Sequence, residues 1–256
     1  MPDKERETVA FDLGSRSVKI GILKGSGEPE FYAYDTALFY AEFGRATEEG
    51  FSPSREKLGV SESARMLATG YGRNALNIAG AEVVPEIQAH AAGAVYQTGL
   101  EDFTLVDLGG QDSKIIRVRG GRVVDFHMNE RCAASAGRYL ENMASILGYS
   151  LSELSEFVEN PAKLSATCAV FGESELVAKL AMGVPREKLA AGVNRQIVER
   201  FGSRLDANPP GKLVLAGGVA KNDAVAKLLS SRYSVNVLIP RFPQYNGVIG
   251  LIRGNF

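Results

Sequence analysis

Two stretches of this chain carry the same chemistry-bearing residues at the same spacing. Phe11-Asp12-Leu13-Gly14-Ser15-Arg16-Ser17-Val18-Lys19-Ile20 is matched 95 residues later, Asp12 to Asp107, by Val106-Asp107-Leu108-Gly109-Gly110-Gln111-Asp112-Ser113-Lys114-Ile115. Each reads Asp-Leu-Gly, four residues, then Lys-Ile. A glycine turn lets the backbone approach a phosphate closely, and its amide groups can form an anion cradle. An aspartate at the strand end can hold Mg²⁺, usually through water, so Asp12 and Asp107 are the candidate magnesium residues. A single copy is as readily an ordinary hairpin as a site. Two matched copies point to two loops gripping one nucleotide phosphate tail from opposite sides.

A third glycine site follows the apolar run Lys212–Ala216: Gly217-Gly218-Val219-Ala220, then a helical pattern from Asn222 to Leu229. A strand, a glycine pair and a helix start suit close approach to a base or ribose, although many strand–helix turns share that pattern. The two cysteines, Cys132 and Cys168, each lie shortly before a helical run, Tyr139 to Leu147 and Leu176 to Met182. Helix starts carry free N–H groups and partial positive charge, which favours thiolates and metal–thiolate clusters. Isolated cysteines are commonly small buried core residues, and a zinc site with His90 or His127 matches no zinc spacing. A cubane cluster needs four thiolates; one chain supplies two, so it would have to be shared by two chains across a two-fold axis.

These residues must be positioned by short strands and helices in alternation. Strands are expected near Thr8–Leu13, Val18–Leu23, Glu30–Tyr34, Ala64–Thr69 and Phe103–Asp107. Each Asp-Leu-Gly segment joins two β-rich runs, and the second run ends near glycine, at Gly25 and Gly27 and at Gly120 and Gly121. That reads as a hairpin with a tight turn. A helix is expected from Pro85 to Gln97, with proline in its first turn and Gly99 after its end. The tail Gln244–Arg253 reads as helical despite two glycines. The 29 basic and 30 acidic residues give a formal net charge of -1, without the basic excess of a dedicated nucleic-acid binder. A polar start without a signal peptide, and no apolar run of about 20 residues, lead to the expectation of a cytoplasmic protein that engages neither membrane nor nucleic acid.

The three glycine sites, in this order, resemble the phosphate-one, phosphate-two and adenosine motifs of the actin, hexokinase and acetate-kinase superfamily. The resemblance implies an α/β fold of two ribonuclease-H-like half-domains with ATP in the cleft between them: residues 1–98, joined by a C-terminal helix at 244–256, and residues 99–243 carrying both cysteines. Hinges would lie near Gly99 and Pro240–Pro243. Asn129–Leu140 and Thr167–Glu175 resemble the two cysteine motifs of the activators of 2-hydroxyacyl-CoA dehydratases, a family that includes the ATPase subunits of benzoyl-CoA reductases and the reductases of double-cubane-cluster proteins. Thr69-Gly70-Tyr71-Gly72-Arg73, and Glu86-Ile87 followed by His90-Ala91, match the same family. Arg16 stands where the family usually has a small hydroxyl residue. Ser135-Ala136 replaces Gly-Thr, and Gln88-Ala89 replaces a segment that often holds a third cysteine.

The resemblance implies an ATP-dependent electron-transfer reductase. Cys132 and Cys168 from each of two chains would hold one 4Fe–4S cluster per homodimer. ATP or ADP would be held by Asp12, Gly14, Ser15, Arg16, Ser17, Lys19, Asp107, Gly109, Gly110, Gln111, Lys114, Gly217, Gly218 and Val219, with Mg²⁺ near Asp12 and Asp107. Gln111 or Asp112 would orient the attacking water. Ferredoxin or flavodoxin would donate the electron and an iron–sulfur dehydratase or reductase component would accept it. Two rivals use the same fold: a small-molecule, sugar-type kinase, and a non-enzymatic actin-like ATP-binding module.

Overall fold

The segment Thr8–Leu13 is apolar at nearly every position, and all of it after Thr8 is buried. That is the pattern of a strand covered on both faces. In the structure, a computed structural model describing residues 7–70, 78–129, 137–165 and 169–256, it is the centre of a five-stranded sheet. The elements are β1 (Thr8–Leu13), β2 (Ser17–Leu23), β3 (Glu30–Asp35), α1 (Thr36–Glu42), β4 (Gly44–Thr47), β5 (Gly50–Pro53), α2 (Arg55–Leu58), β6 (Arg65–Gly70), β7 (Glu82–Val83) and α3 (Glu86–Thr98). They continue with β8 (Phe103–Leu108), β9 (Ser113–Arg119), β10 (Arg122–Asn129), α4 (Gly137–Leu147), α5 (Leu151–Leu154), α6 (Ala169–Ala181), α7 (Arg186–Asp206), β11 (Leu213–Ala216), α8 (Asp223–Tyr233), β12 (Val237–Leu238) and α9 (Asn246–Arg253).

The chain forms two compact units. One takes Met1–Glu101, Gly120–Val123 and Tyr245–Phe256; the other takes Asp102–Arg119 and Val124–Gln244. The first holds the sheet β3-β2-β1-β6-β7, and β10-β9-β8-β11-β12 is the second. The two orders are the same, and so is the register. In the first hairpin Thr8 faces Leu23 and Leu13 faces Val18; in the second Phe103 faces Val118 and Leu108 faces Ser113. In both sheets a parallel strand lies beyond the hairpin, β6 along β1 and β11 along β8.

Strand alternation sorts the first core into two layers. Val9, Phe11 and Leu13 point to one face, packed with Phe39, Phe51 and Ile78. Ala10 points to the other, against Ala89, Val248 and Leu251. That second face is covered by α3 and α9. These helices meet through small residues: a Cβ on Gly93 would strike the Asn246 carbonyl, one on Gly250 would strike the Ala89 carbonyl, and one on Gly254 would lie 2.9 Å from Ala92 Cβ. Asn246 binds the contact further, donating from Nδ2 to His90 O at 2.7 Å and accepting from Gln97 Nε2 at 3.0 Å. Gly93 on α3, with Gly250 and Gly254 at α9, is therefore what lets the two helices lie together.

The expected helix over 85–97 begins one residue later. Pro85 is its N-cap, with φ -56° and an extended ψ of 133°, and Gly99 closes it in the left-handed region at φ 68°. The short aromatic segment α1, β4 and β5, where Phe39, Tyr40, Phe43 and Phe51 cluster, is beyond what the sequence pattern foretold. Its elements are too short for a periodicity signal.

In the second unit α4, α7 and α8 pack on Val106, Leu108 and Ile115. Among the described residues no helix is long and apolar enough to cross a membrane.

Candidate active site

Alternation fixes where the first aspartate goes. Asp12 is two residues from Ala10, so its side chain shares the face that α3 and α9 cover. It is 3% exposed, at the end of β1. From α3, Glu86 and His90 are four residues apart and therefore one turn apart on one side of the helix. His90 Nε2 lies 4.0 Å from Asp12 Oδ2 and 4.0 Å from Glu86 Oε1. One ligand atom from each of the three lies within 4.8 Å of the others. Lys19, across the hairpin from Asp12 in register, brings Nζ to 3.7 Å from the same carboxylate oxygen. The backbone of α9 forms the wall: a Cβ on Gly247 would sit 3.0 Å from His90 Nε2 and 3.1 Å from Asp12 Oδ2. Sequence reasoning placed Asp12 and Lys19 at the nucleotide, whereas Glu86 and His90 entered only as a family match, with His90 also weighed for zinc, and neither was joined to Asp12. The i, i+4 spacing was the available signal.

The first loop is built by local bonds. Gly14 N donates to Asp12 O at 3.1 Å, and Thr36 Oγ1 donates to Gly14 O at 2.7 Å. A side chain at Gly14 would meet Ser17 O at 2.7 Å. Arg16, expected at the phosphates, makes an ion pair with Asp35 at 2.6 Å, and Asp35 also caps α1. Ser15 and Arg16 are exposed, while Ser17 begins β2.

The second loop repeats the plan. Asp107 is 2% exposed at the end of β8, in register with Lys114. Lys114, also 2% exposed, makes its ion pair with Asp112 rather than being solvated. Gly109 N donates to Asp112 O at 3.0 Å, and a side chain on Gly109 would strike the Asp112 carboxylate. The carbonyls of Gly109 and Gly110 accept from the first two amides of α4, Gly137 N and Arg138 N, both at 2.9 Å. Gln111 is partly buried in the same loop.

The third glycine site has its own device. Gly217 holds φ 82°, and a side chain there would strike the Leu108 carbonyl and approach Leu108 N at 2.8 Å. Gly70 does the same in the first unit, with φ 103° and Leu13 O at 2.7 Å. Gly218–Lys221 then forms a 3-10 turn carrying Val219. Asn222 caps α8 through Val225 N at 3.1 Å and donates to buried Asn194 Oδ1 at 3.0 Å. This polar contact fixes the turn to α7, and sequence reasoning did not single it out.

Cys132 and Cys168 lie outside the described residues, as do Tyr71-Gly72-Arg73. The helices that follow the two cysteines in the chain are described. The helix α4 begins five residues after Cys132, and α6 begins at the residue after Cys168. The two helices pack together, Gly172 approaching Tyr139 and Met143. Glu175 of α6 accepts from Ser165 N at 2.9 Å and Ser165 Oγ at 3.0 Å, tying down the residue three before Cys168. Of the two histidines considered for a zinc site, His90 stands with Asp12 and Glu86 in the first unit, and His127 lies on β10 in the second.

A family profile spans nearly this whole arrangement, matching residues 11–251; it is that of the BadF/BadG/BcrA/BcrD ATPase family. The chain belongs to this family. Its members of known role include the (R)-2-hydroxyglutaryl-CoA dehydratase activating ATPase of Acidaminococcus fermentans, 34% identical over 95% of this chain and 94% of that protein. The activator of lactoyl-CoA dehydratase of Anaerotignum propionicum is 35% identical over 95% of each. Among solved structures of the family, the activator of 2-hydroxyisocaproyl-CoA dehydratase from Clostridium difficile with bound ADPNP superposes with a TM-score of 0.80. It is 28% identical and covers 96% of this chain and 92% of that one. The fold is thus the actin-like α/β fold of these ATPases.

Proposed function

We propose that this chain is an ATP-driven electron-transfer activator that works as a homodimer and reduces an iron–sulfur dehydratase or reductase component. The observation that carries the reading is the repeated hairpin: two strands in the same register, each ending in a buried aspartate beside a lysine and a glycine turn. Such a pair suits the two ends of one nucleotide phosphate tail, and the family is one of ATPases. Relatives of similar length are named as activators of 2-hydroxyacyl-CoA dehydratases.

The roles follow from the chemistry. The half-domains, 1–98 with the tail from 244 and 99–243, each contribute one phosphate loop to ATP. Asp12 and Asp107 hold Mg²⁺, for which buried carboxylates at strand ends supply the hard oxygen donors this ion takes. Lys19 neutralises phosphate charge, as does Lys114 once Asp112 yields it. Gln111 or Asp112 orients the attacking water, so the protein's contribution to phosphoryl transfer is positioning and charge neutralisation. Gly14–Ser17, Gly109 and Gly110 line the phosphates; Gly217–Val219 backs the nucleoside. Cys132 and Cys168 of each chain ligate one 4Fe–4S cluster per dimer, which supplies a one-electron carrier. Ferredoxin or flavodoxin is the donor. The amides of α4 that donate to Gly109 O and Gly110 O tie the second phosphate loop by two hydrogen bonds to the helix that begins five residues after Cys132. A change in that loop on ATP binding is thereby transmitted to α4 and, through its packing, to α6.

The test is iron and sulfide analysis of anaerobically purified protein, with ATP hydrolysis measured alongside. The reading expects about four irons per two chains, lost in Cys132→Ala and in Cys168→Ala, and ATP hydrolysis lost in Asp12→Asn and Asp107→Asn. Iron-free protein whose cysteine variants hydrolyse ATP as the parent does, and which phosphorylates a sugar, would overturn it in favour of a kinase.

A further inference from the structure

Two carboxylates and one imidazole meet inside the first unit, and their charges and ligand chemistry go beyond a magnesium shell. Asp12 is 3% and His90 6% exposed, and the Glu86 side chain is also mostly enclosed. Burying two carboxylates is costly unless positive charge meets them. Lys19, at 3.7 Å from Asp12, supplies one such charge, and a divalent cation among the three would add to it.

The spacing suits that. The histidine nitrogen is 4.0 Å from each carboxylate oxygen, and no pair exceeds 4.8 Å. A cation equidistant from all three would stand about 2.5 Å from each, a few tenths of an ångström outside the ~2.0–2.2 Å of transition-metal bonds to imidazole and carboxylate. Small side-chain rotations close that gap. Gly247 keeps the room open, because any side chain there would press on both His90 Nε2 and Asp12 Oδ2. His90 is anchored by its own backbone, whose carbonyl accepts from Asn246.

We infer that Asp12, Glu86 and His90 form a binding site for a divalent transition-metal ion, which this chain takes in preference to Mg²⁺. The preference comes from the nitrogen donor. Magnesium favours oxygen ligands and sheds water reluctantly, whereas imidazole suits Zn²⁺, Cu²⁺, Fe²⁺ and Ni²⁺, and Mn²⁺ opens the same series of divalent affinities. The site shares Asp12 with the proposed ATP machinery and so deepens that reading: it forms in the nucleotide-free chain, before Mg²⁺ arrives with ATP, and needs neither nucleotide nor iron cluster.

The experiment uses the full chain, purified anaerobically and freed of nucleotide, with Mn²⁺ as the probe. Binding is followed by the loss of free Mn²⁺ signal in electron paramagnetic resonance, and pulsed spectra report nitrogen coupled to the bound ion. The expected result is one Mn²⁺ per chain, bound at least tenfold more tightly than Mg²⁺ in competition, with nitrogen coupling. His90→Ala removes the coupling and most of the preference over Mg²⁺. Glu86→Gln, which keeps shape and hydrogen bonding, weakens Mn²⁺ about tenfold or more; it stands in should His90→Ala fail to fold. Equal affinity for the two ions, nitrogen coupling that survives in His90→Ala, or no binding would each overturn the site. Iron content and ATP hydrolysis of the same samples are read separately, so failure of the electron-transfer reading leaves this outcome intact.

Discussion

Tyr139 illustrates how one side chain sets the footing of the helix that follows Cys132. Its ring is fully buried, its hydroxyl donates to Gln196 Oε1, and the Arg200 guanidinium lies 4.0 Å from the ring centre. Burial pushes its phenol up to about 12, with Arg200 pulling the other way. A phenol with a raised value favours the folded state fully at pH below its ordinary value of about 10, and that contribution is lost as pH rises through the folded value. Tyr139→Phe removes the hydrogen bond and should cost about 1 kcal/mol near pH 8, since Gln196 Oε1 keeps its bond from Arg200 at 3.1 Å. Urea midpoints at pH 8 and above pH 11 check this: the gap between parent and variant should narrow at the higher pH. Parallel curves would argue that the phenol does not titrate with unfolding.

The contact of α3 with α9 belongs to the element scale. Glycine inside a helix ordinarily costs up to about 1 kcal/mol relative to alanine, so propensity alone makes Gly93→Ala and Gly250→Ala stabilising. The structure reverses the sign, because each new methyl would strike a carbonyl of the facing helix. Overpacking of this kind costs about 1–3 kcal/mol, and both substitutions should lower the melting temperature by several degrees. The two positions bear on one interface, so the double variant should depart from additivity. A rise in melting temperature for either would show that α9 can shift along α3 freely. At this scale the aspartates and α3 were legible in the sequence, because strand alternation and a helix of 13 residues leave periodic marks. The aromatic segment α1–β5 was not, since its stability comes from rings brought together by the fold.

Across the whole molecule the same glycine device appears twice. Gly70 ends β6 over Leu13, and Gly217 follows the end of β11 over Leu108, each with positive φ and a backbone neighbour too close for a side chain. Gly70→Ala and Gly217→Ala should each destabilise by roughly 2–4 kcal/mol, combining backbone strain with overpacking. Each glycine lies in its own unit, so hydrogen exchange should separate the effects. Gly70→Ala should speed exchange in β1, β2 and β6, and Gly217→Ala in β8, β9 and β11. Equal acceleration of both sheets by either variant would mean that the units unfold as one.

The sequence by itself determined the repeated Asp-Leu-Gly hairpin, and the structure adds its register, Asp12 facing Lys19 and Asp107 facing Lys114. A hairpin is local: turn length and strand alternation set its register within about a dozen residues. It also determined the glycine turn at Gly217 and the helical tail. Only the tertiary structure decided that Glu86 and His90 stand beside Asp12 and that Gly247 backs them. It alone matched Gly70 with Gly217, which share no surrounding motif. Those relations join segments separated by long stretches of chain. They are set by which helix covers which face of a sheet, and that is fixed by packing of the whole unit rather than by any local preference of the residues concerned.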